Sequence, residues 1–287
     1  MKKDKITLIL GLIILAILFF GALLAFSQLK SFSRIFDIFN KKSESRIIYK
    51  AEDTIKILEG WTNQDIANYF ESQGKWNAKE VLAITDSAST TKAISEKFDF
   101  FDGKKSPLTL EGYLFPDTYR IYASSTIEEA LTKMLDNFDH KLTPQMRTDI
   151  KAQGKSISEI VIMASIIEKE APFYDNANTD AKIVSGIFWN RLANNQALQS
   201  DASLSYIFKD NKPSHEGADL NNSSPYNTYK YRGLPPGPIC NPGLLALEAA
   251  IYPTDTNFNY FLTAPDGHIY YAKTYDEHLK NKNKYLK

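Results

Sequence analysis

One cysteine, Cys240, and four histidines are all that this 287-residue chain offers to thiol chemistry and to soft metals. A lone cysteine excludes a disulfide within the chain and any cysteine-rich zinc site. The histidines, His140, His215, His268 and His278, are scattered and form no His-Glu-x-x-His pair, although His268 and His278 could meet across the last hairpin and helix. There is no excess of charge of either sign, with 34 Lys and Arg against 34 Asp and Glu. Nucleic-acid binding draws on counterion release at a basic face, so this balance argues against DNA or RNA as a partner. A Gly-x-Ser-x-Gly elbow, a phosphate-cradling glycine loop, internal repeats and low-complexity tracts are also missing. Aromatic residues, by contrast, are plentiful: 16 Tyr and 17 Phe. They fill cores, and tyrosine also suits sugar- and peptide-binding surfaces. What remains is carboxyl chemistry among polar aromatics.

The one long hydrophobic run is residues 6–26, 21 positions without a charge. As a helix it spans about 31 Å, the thickness of a bilayer's hydrocarbon core. Lys2, Lys3 and Lys5 precede it and favour a cytoplasmic N-terminus, although Lys30, Arg34, Lys41 and Lys42 follow and weaken the asymmetry. A cleaved signal peptide would carry an apolar core of about 7–15 residues and an Ala-x-Ala-like site. This run is longer and lacks such a site. It reads as the single-pass anchor of an inner or plasma membrane protein. Residues 1–5 are then a cytoplasmic tail, 27–45 a polar juxtamembrane linker, and the rest lies outside the cell membrane.

Residues 46–100 read as a small α/β module. Short β-prone pieces over 46–58 precede a helix opened by a Thr62/Asp65 capping box and closed by Gly74. Asn77 and Glu80 repeat the signature. Strand, helix, helix is the order of small LysM-like modules, which bind amino-sugar chains; a plain spacer has the same order, and fold analogy does not establish binding.

Residues 156–172 form the stretch around which residues 101–287 are organised. Ser156 and Glu159 predict a capping box, and Pro172 a stop. Between them the helix is apolar nearly all round, so it is buried. Glu168 breaks the pattern. It follows Ala164, Val161 and Ile157 by 4, 7 and 11 residues, so its carboxyl shares their face. Two readings are open: a solvated or salt-bridged group in the last turn, or a carboxyl on the floor of a cleft. In the second, desolvation raises its pKa and makes it a general acid.

Around this helix stand further candidates. Glu111 precedes a turn at Pro116 and Asp117 amid Tyr113, Phe115, Tyr119 and Tyr122; it belongs either to a packed loop or to a cleft wall with a second carboxyl. Thr126 with Glu129, and then Pro144, open two helices. A long amphipathic helix over 178–194 follows the central one. Gln199 is a plausible substrate amide contact, and Asp201 either caps a short helix or serves as a carboxyl of the site. Residues 224–243 carry too many prolines and glycines for a helix or strand and form a rigid loop. It serves either as a connection or as a platform presenting Tyr226, Asn227, Thr228, Tyr229 and Tyr231 to sugars. Asn241 and Pro242 start another helix. A hairpin turning at 264–267 and a basic helix capped by Thr274 and Glu277 complete the chain.

Six blocks carry a family likeness: ASIIEKE (164–170), LEGYLFPDTY (110–119), FWNRL (188–192), LQSD (198–201), YNTY (226–229) and GLPPGPI-NPG (233–243). In order and spacing they resemble the YceG-like endolytic murein transglycosylases, with Cys240 where a small residue is usual. The resemblance implies a membrane-anchored enzyme that cuts nascent peptidoglycan glycan strands internally, with peptidoglycan synthases as candidate partners. It implies a LysM-like subdomain before the catalytic domain, and Glu168 as the catalytic acid. Glu111, Gln199, Asp201, Tyr226, Asn227 and Thr228 are then expected to bind the sugar. The chemistry expected needs no metal or cofactor, because the muramoyl 6-hydroxyl of the substrate is the nucleophile. The expected fold is α+β: one transmembrane helix, a small LysM-like module and a mixed α+β catalytic domain over 101–287. The rival readings are a peptidoglycan hydrolase that leaves reducing ends, with Glu111 or Asp201 as second carboxylate, and a glycan-binding scaffold without activity.

Overall fold

Four reciprocal capping boxes set helix starts where the sequence predicts them: Thr62 with Asp65, Thr126 with Glu129, Ser156 with Glu159, and Thr274 with Glu277. Each satisfies a free N–H at a helix start with a side chain three residues away. The computed structural model describes residues 51–101, 109–171, 178–210, 212 and 214–286. The expected tail, membrane span and linker (1–45) and the stop at Pro172 lie outside the described residues. Among the described residues no helix is long and apolar enough to cross a membrane.

The order is β1 (Glu52–Lys56), α1 (Asn63–Ser72), α2 (Ala78–Thr85), α3 (Ala88–Ser95), β2 (Thr118–Tyr122), α4 (Ile127–Lys141) and α5 (Pro144–Ala152). Then follow α6 (Ile157–Glu170), α7 (Thr179–Ala193), α8 (Asp201–Phe208), a 3₁₀ turn (Gly217–Asn221), α9 (Leu244–Ile251), β3 (Tyr260–Thr263), β4 (Ile269–Ala272) and α10 (Tyr275–Tyr285). The class is mixed α+β, helix-rich with small sheets.

β1 pairs antiparallel with β2, from Glu52 opposite Tyr122 to Lys56 opposite Thr118. Alternation along the pair buries Ile55, Tyr119 and Ile121. The pairing joins residues on either side of position 100, and residues 51–287 make one compact unit. The strand–helix–helix segment is therefore completed by a strand from beyond residue 100. β3 and β4 form the second antiparallel pair, the hairpin expected at 264–267.

α6 lies at the centre. All eight residues from Ile160 to Ile167 are buried, covered by α5, α7, α8 and α9. Ser165 ties it to the proline-rich loop: its hydroxyl accepts from Ile239 N–H at 3.0 Å, and Cys240 Sγ donates to its carbonyl at 3.3 Å. Cys240 is fully buried, in keeping with a small residue packed against a helix. The FWNRL block on α7 clamps backbone. Trp189 donates to Ala250 O, Asn190 to Thr256 O, and Arg191 to Leu198 O and Asn259 O.

Two local expectations are corrected. Asn77 caps α2 through Lys79 N–H, without a reciprocal bond from Glu80. α9 starts at Leu244 with Gly243 at its N-cap, instead of at Asn241 and Pro242. The reason is that Asn241 is bound elsewhere, as the site shows.

Candidate active site

Glu168 stands half-buried in the last turn of α6. Its Oε2 accepts the Gly243 N–H at 3.0 Å, the amide at the start of α9. Burial pushes the Glu168 carboxyl up to about 7; the Glu59 charge adds to this, while the Gly243 N–H and Lys169 pull it down. Two helix ends act here with opposite sign. The C-terminal end of α6 disfavours negative charge, and the N-terminal end of α9 welcomes it. The group is thus a carboxylic acid near neutral pH that can lose its proton to a supported carboxylate. Among the described residues Glu168 is thus neither freely solvated nor held in an ion pair: it is half-buried and bonded to a backbone amide.

Asn241 ties together the segments around it. Fully buried, its Oδ1 accepts Gly112 N–H and Leu114 N–H, both at 2.9 Å. Its Nδ2 donates to Trp61 O at 2.9 Å and to Glu111 Oε1 at 3.3 Å. Its backbone N–H also donates to Trp61 O, and its carbonyl accepts Gly60 N–H. One side chain therefore joins the turn before α1, the loop before β2 and the proline-rich loop. Gly112 lies beneath it at φ +90°, so close to Pro238 and Val161 that no side chain fits. This is why that loop needs glycine.

The turn before α1 passes close to the acid. A Cβ at Gly60, itself at φ +75°, would lie 3.6 Å from Glu168 Cγ and 3.3 Å from Lys169 Nζ. A Cβ at Gly243 would fall on the carboxyl group of Glu59.

The other expected site residues divide. Glu111 is buried, and its two oxygens accept Asn63 N–H at 3.0 and 3.2 Å, at the first residue of α1. Burial pushes it up to about 8; Asp86 and Asp65 add to this, while the Asn63 N–H and Lys169 oppose it. It fastens the loop before β2 to α1. Asp201 does not cap α8: its carboxylate accepts His215 N–H at 3.1 Å and bonds Tyr229. The cap comes from Glu170, which accepts Ser200 Oγ–H at 2.5 Å and Ala202 N–H at 3.4 Å. Burial raises the Glu170 carboxyl; its bonds to Ser200 and Ala202 lower it. This latch brings residues 199–201 to the same end of α6 as Glu168.

Gln199 is exposed and left-handed, φ 51°, with its N–H on Thr228 O at 3.1 Å. Such a conformation is strained for a residue with a side chain. Tyr226 is half-buried, its ring 5.1 Å from that of Tyr206 and its hydroxyl over Gly237. Asn227 and Thr228 are buried. The Asn227 amide donates to Leu220 O and Asn222 O and accepts Tyr229 N–H and Lys230 N–H. Thr228 Oγ1 accepts Ser200 N–H and bonds Ser203 Oγ. These two residues build the loop that Tyr226 and Gln199 stand on, and their polar atoms are engaged within it.

Glu59, Gly243 and Asn241 take part in the site beyond the sequence reading. The signal available for them was a glutamate and a glycine just before the Thr62 cap, and an Asn-Pro-Gly that looks like an ordinary helix start. Among the described residues, no group of three or more His, Cys, Asp or Glu side chains is arranged to hold a metal ion. Away from Glu168, beside β1, a hollow of about 410 Å³ is lined by Asp53, Gln73, Lys75 and Trp76, among others.

Known proteins resemble this chain over most of its length. The chain is 33% identical over 238 residues to the endolytic murein transglycosylase of Bacillus subtilis (strain 168), covering 81% of this chain and 65% of that protein. It is 33% identical over 248 residues to the protein of the same name from Streptococcus pneumoniae serotype 2 (strain D39), covering 79% and 44%. It thus spans about two thirds of the first relative's length and less than half of the second's. A crystal structure of a YceG-like protein from Listeria monocytogenes superposes with a TM-score of 0.72 at 33% identity, over 85% of this chain and 80% of that one. With the model of the YceG-like family matching residues 25–284, nearly end to end, the chain belongs to the YceG-like family.

Proposed function

We propose that the chain is an endolytic lytic transglycosylase of peptidoglycan, a carbon–oxygen lyase. It is held in the cell membrane by residues 6–26, with its N-terminus in the cytoplasm and residues 51–287 outside. The observation that carries this reading is Glu168: a half-open carboxyl held near its proton at neutral pH, while Glu111, Glu170 and Asp201 are engaged as acceptors inside the fold. The names of the relatives support the same substrate.

In the reaction, the bond from muramoyl C1 to the O4 of N-acetylglucosamine breaks as O4 takes the Glu168 proton. The muramoyl O6 bonds to C1 and gives its own proton to the Glu168 carboxylate. The strand is left with a 1,6-anhydro end and Glu168 is restored. The nucleophile is tethered to the reacting carbon, so the attack gains from proximity and needs no second carboxylate to hold water. Tyr226 and Gln199 orient the sugar on the loop that Asn227 and Thr228 build. The β1–α1–α2 segment closed by β2 serves as a LysM-like glycan contact, with Trp76 in its hollow offering a ring to a sugar face. Cleaving nascent strands internally ends their elongation, which places the enzyme beside peptidoglycan synthases.

The test is mass spectrometry of glycan products made by the full chain and by Glu168→Gln. Anhydro-ended fragments, lighter by one water than reducing-end fragments and absent with the variant, are expected. Reducing ends would make the enzyme a hydrolase. Glycan binding without cleavage by either protein would leave a scaffold.

A further inference from the structure

Glu59 lies in the turn between β1 and α1, far in sequence from the six blocks, yet it stands beside the acid. Two glycines mark the place. A Cβ at Gly60, the next residue, would lie 3.6 Å from Glu168 Cγ. Gly243, whose N–H donates to Glu168 Oε2 at 3.0 Å, has the carboxyl of the exposed Glu59 in the space that a side chain there would need. Asn241 locks the arrangement through its bonds with Gly60 and Trp61. We propose that Glu59 is a positioning residue for the acid, its carboxyl group seated against Gly243, the residue whose N–H Glu168 accepts.

Like charges at close range favour the protonated form of one of them. The Glu59 charge raises Glu168, in opposition to Lys169 on the same helix turn. Of the other charged and titratable groups on the elements packed around α6, the Cys240 thiol feels the Glu168 charge, but burial pushes that thiol up and keeps it neutral; the rest face elsewhere. Glu111 acts on Cys240, Tyr206 and Tyr226, while Arg191 on α7 and Asp201 on α8 act on Glu170. Lys155, after α5, sits with Glu159 at the opposite end of α6. Glycine at 243 is explained by the same geometry, because a methyl there would push the Glu59 carboxyl aside.

The inference rests on Glu168 as the acid of the proposed reaction, but the proton can be followed without turnover. The full chain in detergent, with glutamate side-chain carboxyls labelled with ¹³C, is titrated by NMR, and Glu168 is assigned from its loss in Glu168→Gln. In Glu59→Gln the Glu168 midpoint moves down by roughly half a pH unit. Glu59→Asp restores part of the shift. Gly243→Ala moves the midpoint the same way, and the double variant moves it no further. The alkaline limb of glycan cleavage follows, with about a three-fold loss above it. An unmoved midpoint, or a fall in rate that is equal at every pH, overturns the proposal. So does a product with reducing ends that vanishes in Glu59→Gln, which would make Glu59 a base for water. If the wild-type chain cleaves no glycan, the reading of the reaction fails while the titration still decides the role of Glu59.

Discussion

Glu168 at the end of α6 and Glu111 in the loop before β2 are both carboxyls pushed far above their ordinary range, to about 7 and about 8. Burial is the main cause for each. They differ in what surrounds the oxygens. Glu111 is 5% exposed and accepts two N–H···O contacts from Asn63 and one from the Asn241 amide. Glu168 is half-open and accepts one backbone amide. The larger shift belongs to the group with less room to act. A raised carboxyl becomes an acid for a substrate only where an oxygen remains uncovered; otherwise the same desolvation marks a fastening within the core.

Removing each group is the sharpest way to separate them. Glu168→Gln should lower glycan cleavage by about 10²–10⁴-fold, the usual worth of a general acid, with little change in melting temperature. Glu111→Ala should do the reverse. It strands the Asn63 N–H and an Asn241 N–H in the core, at roughly 3 kcal/mol, read as a fall in denaturant midpoint. A stability loss with Glu168→Gln as large as that with Glu111→Ala would erase the distinction.

pH gives a second, smaller contrast. A carboxyl with a raised folded pKa binds its proton more tightly in the folded chain than in the unfolded one. Its stabilising contribution is full below the ordinary carboxyl range and is lost as pH rises through the folded value. For Glu111 that loss runs on to about pH 8. Glu111→Gln keeps an acceptor for Asn63 and removes the titration, so calorimetry should show a flatter fall of stability between pH 5 and 8. Cleavage by Glu111→Gln should keep the alkaline limb near 7 set by Glu168. A limb that moved with Glu111 would make the two carboxyls one coupled system.

The same contrast explains what could be read from the chain. The helix starts were legible because a capping box is local: hydroxyl and carboxylate three residues apart fix one turn. That Glu168 lies on the face of Val161 and Ala164 was legible from helical phase; which of its two readings holds was not. The antiparallel partner of β1 was not. Strand pairing over the distance from Glu52 to Tyr122 leaves no periodic trace across the intervening helices. Nor could local sequence separate Glu170 and Asp201 from site residues, since each is used by a segment 14 to 30 residues away. Asn227 and Thr228 sit in the right loop, but whether an amide faces solvent or its own backbone is decided by a loop's closure. Glu59 shows the limit most plainly: its place beside Glu168 depends on Asn241, 182 positions later in the sequence.

Gln199 allows the mildest test, because it combines the features that Glu168 and Glu111 keep apart. Its backbone is a structural element, left-handed and tied to Thr228. Its side chain is exposed at the end of α6 where Ser200 meets Glu170. Glycine adopts the left-handed region without the penalty of about 1 kcal/mol or more that a side chain carries there, and it gives part of this back through the freedom it adds to the unfolded chain. Gln199→Gly should therefore leave thermal stability unchanged or raise it by no more than about 1 kcal/mol. A residue that served only to make the turn would leave cleavage unchanged as well. A residue kept in a strained backbone in order to touch the sugar would instead lose activity, about ten-fold in kcat/KM for one substrate hydrogen bond. Stability held or raised while activity falls is the pattern expected, since a left-handed glutamine is retained against a backbone preference that glycine would satisfy more cheaply.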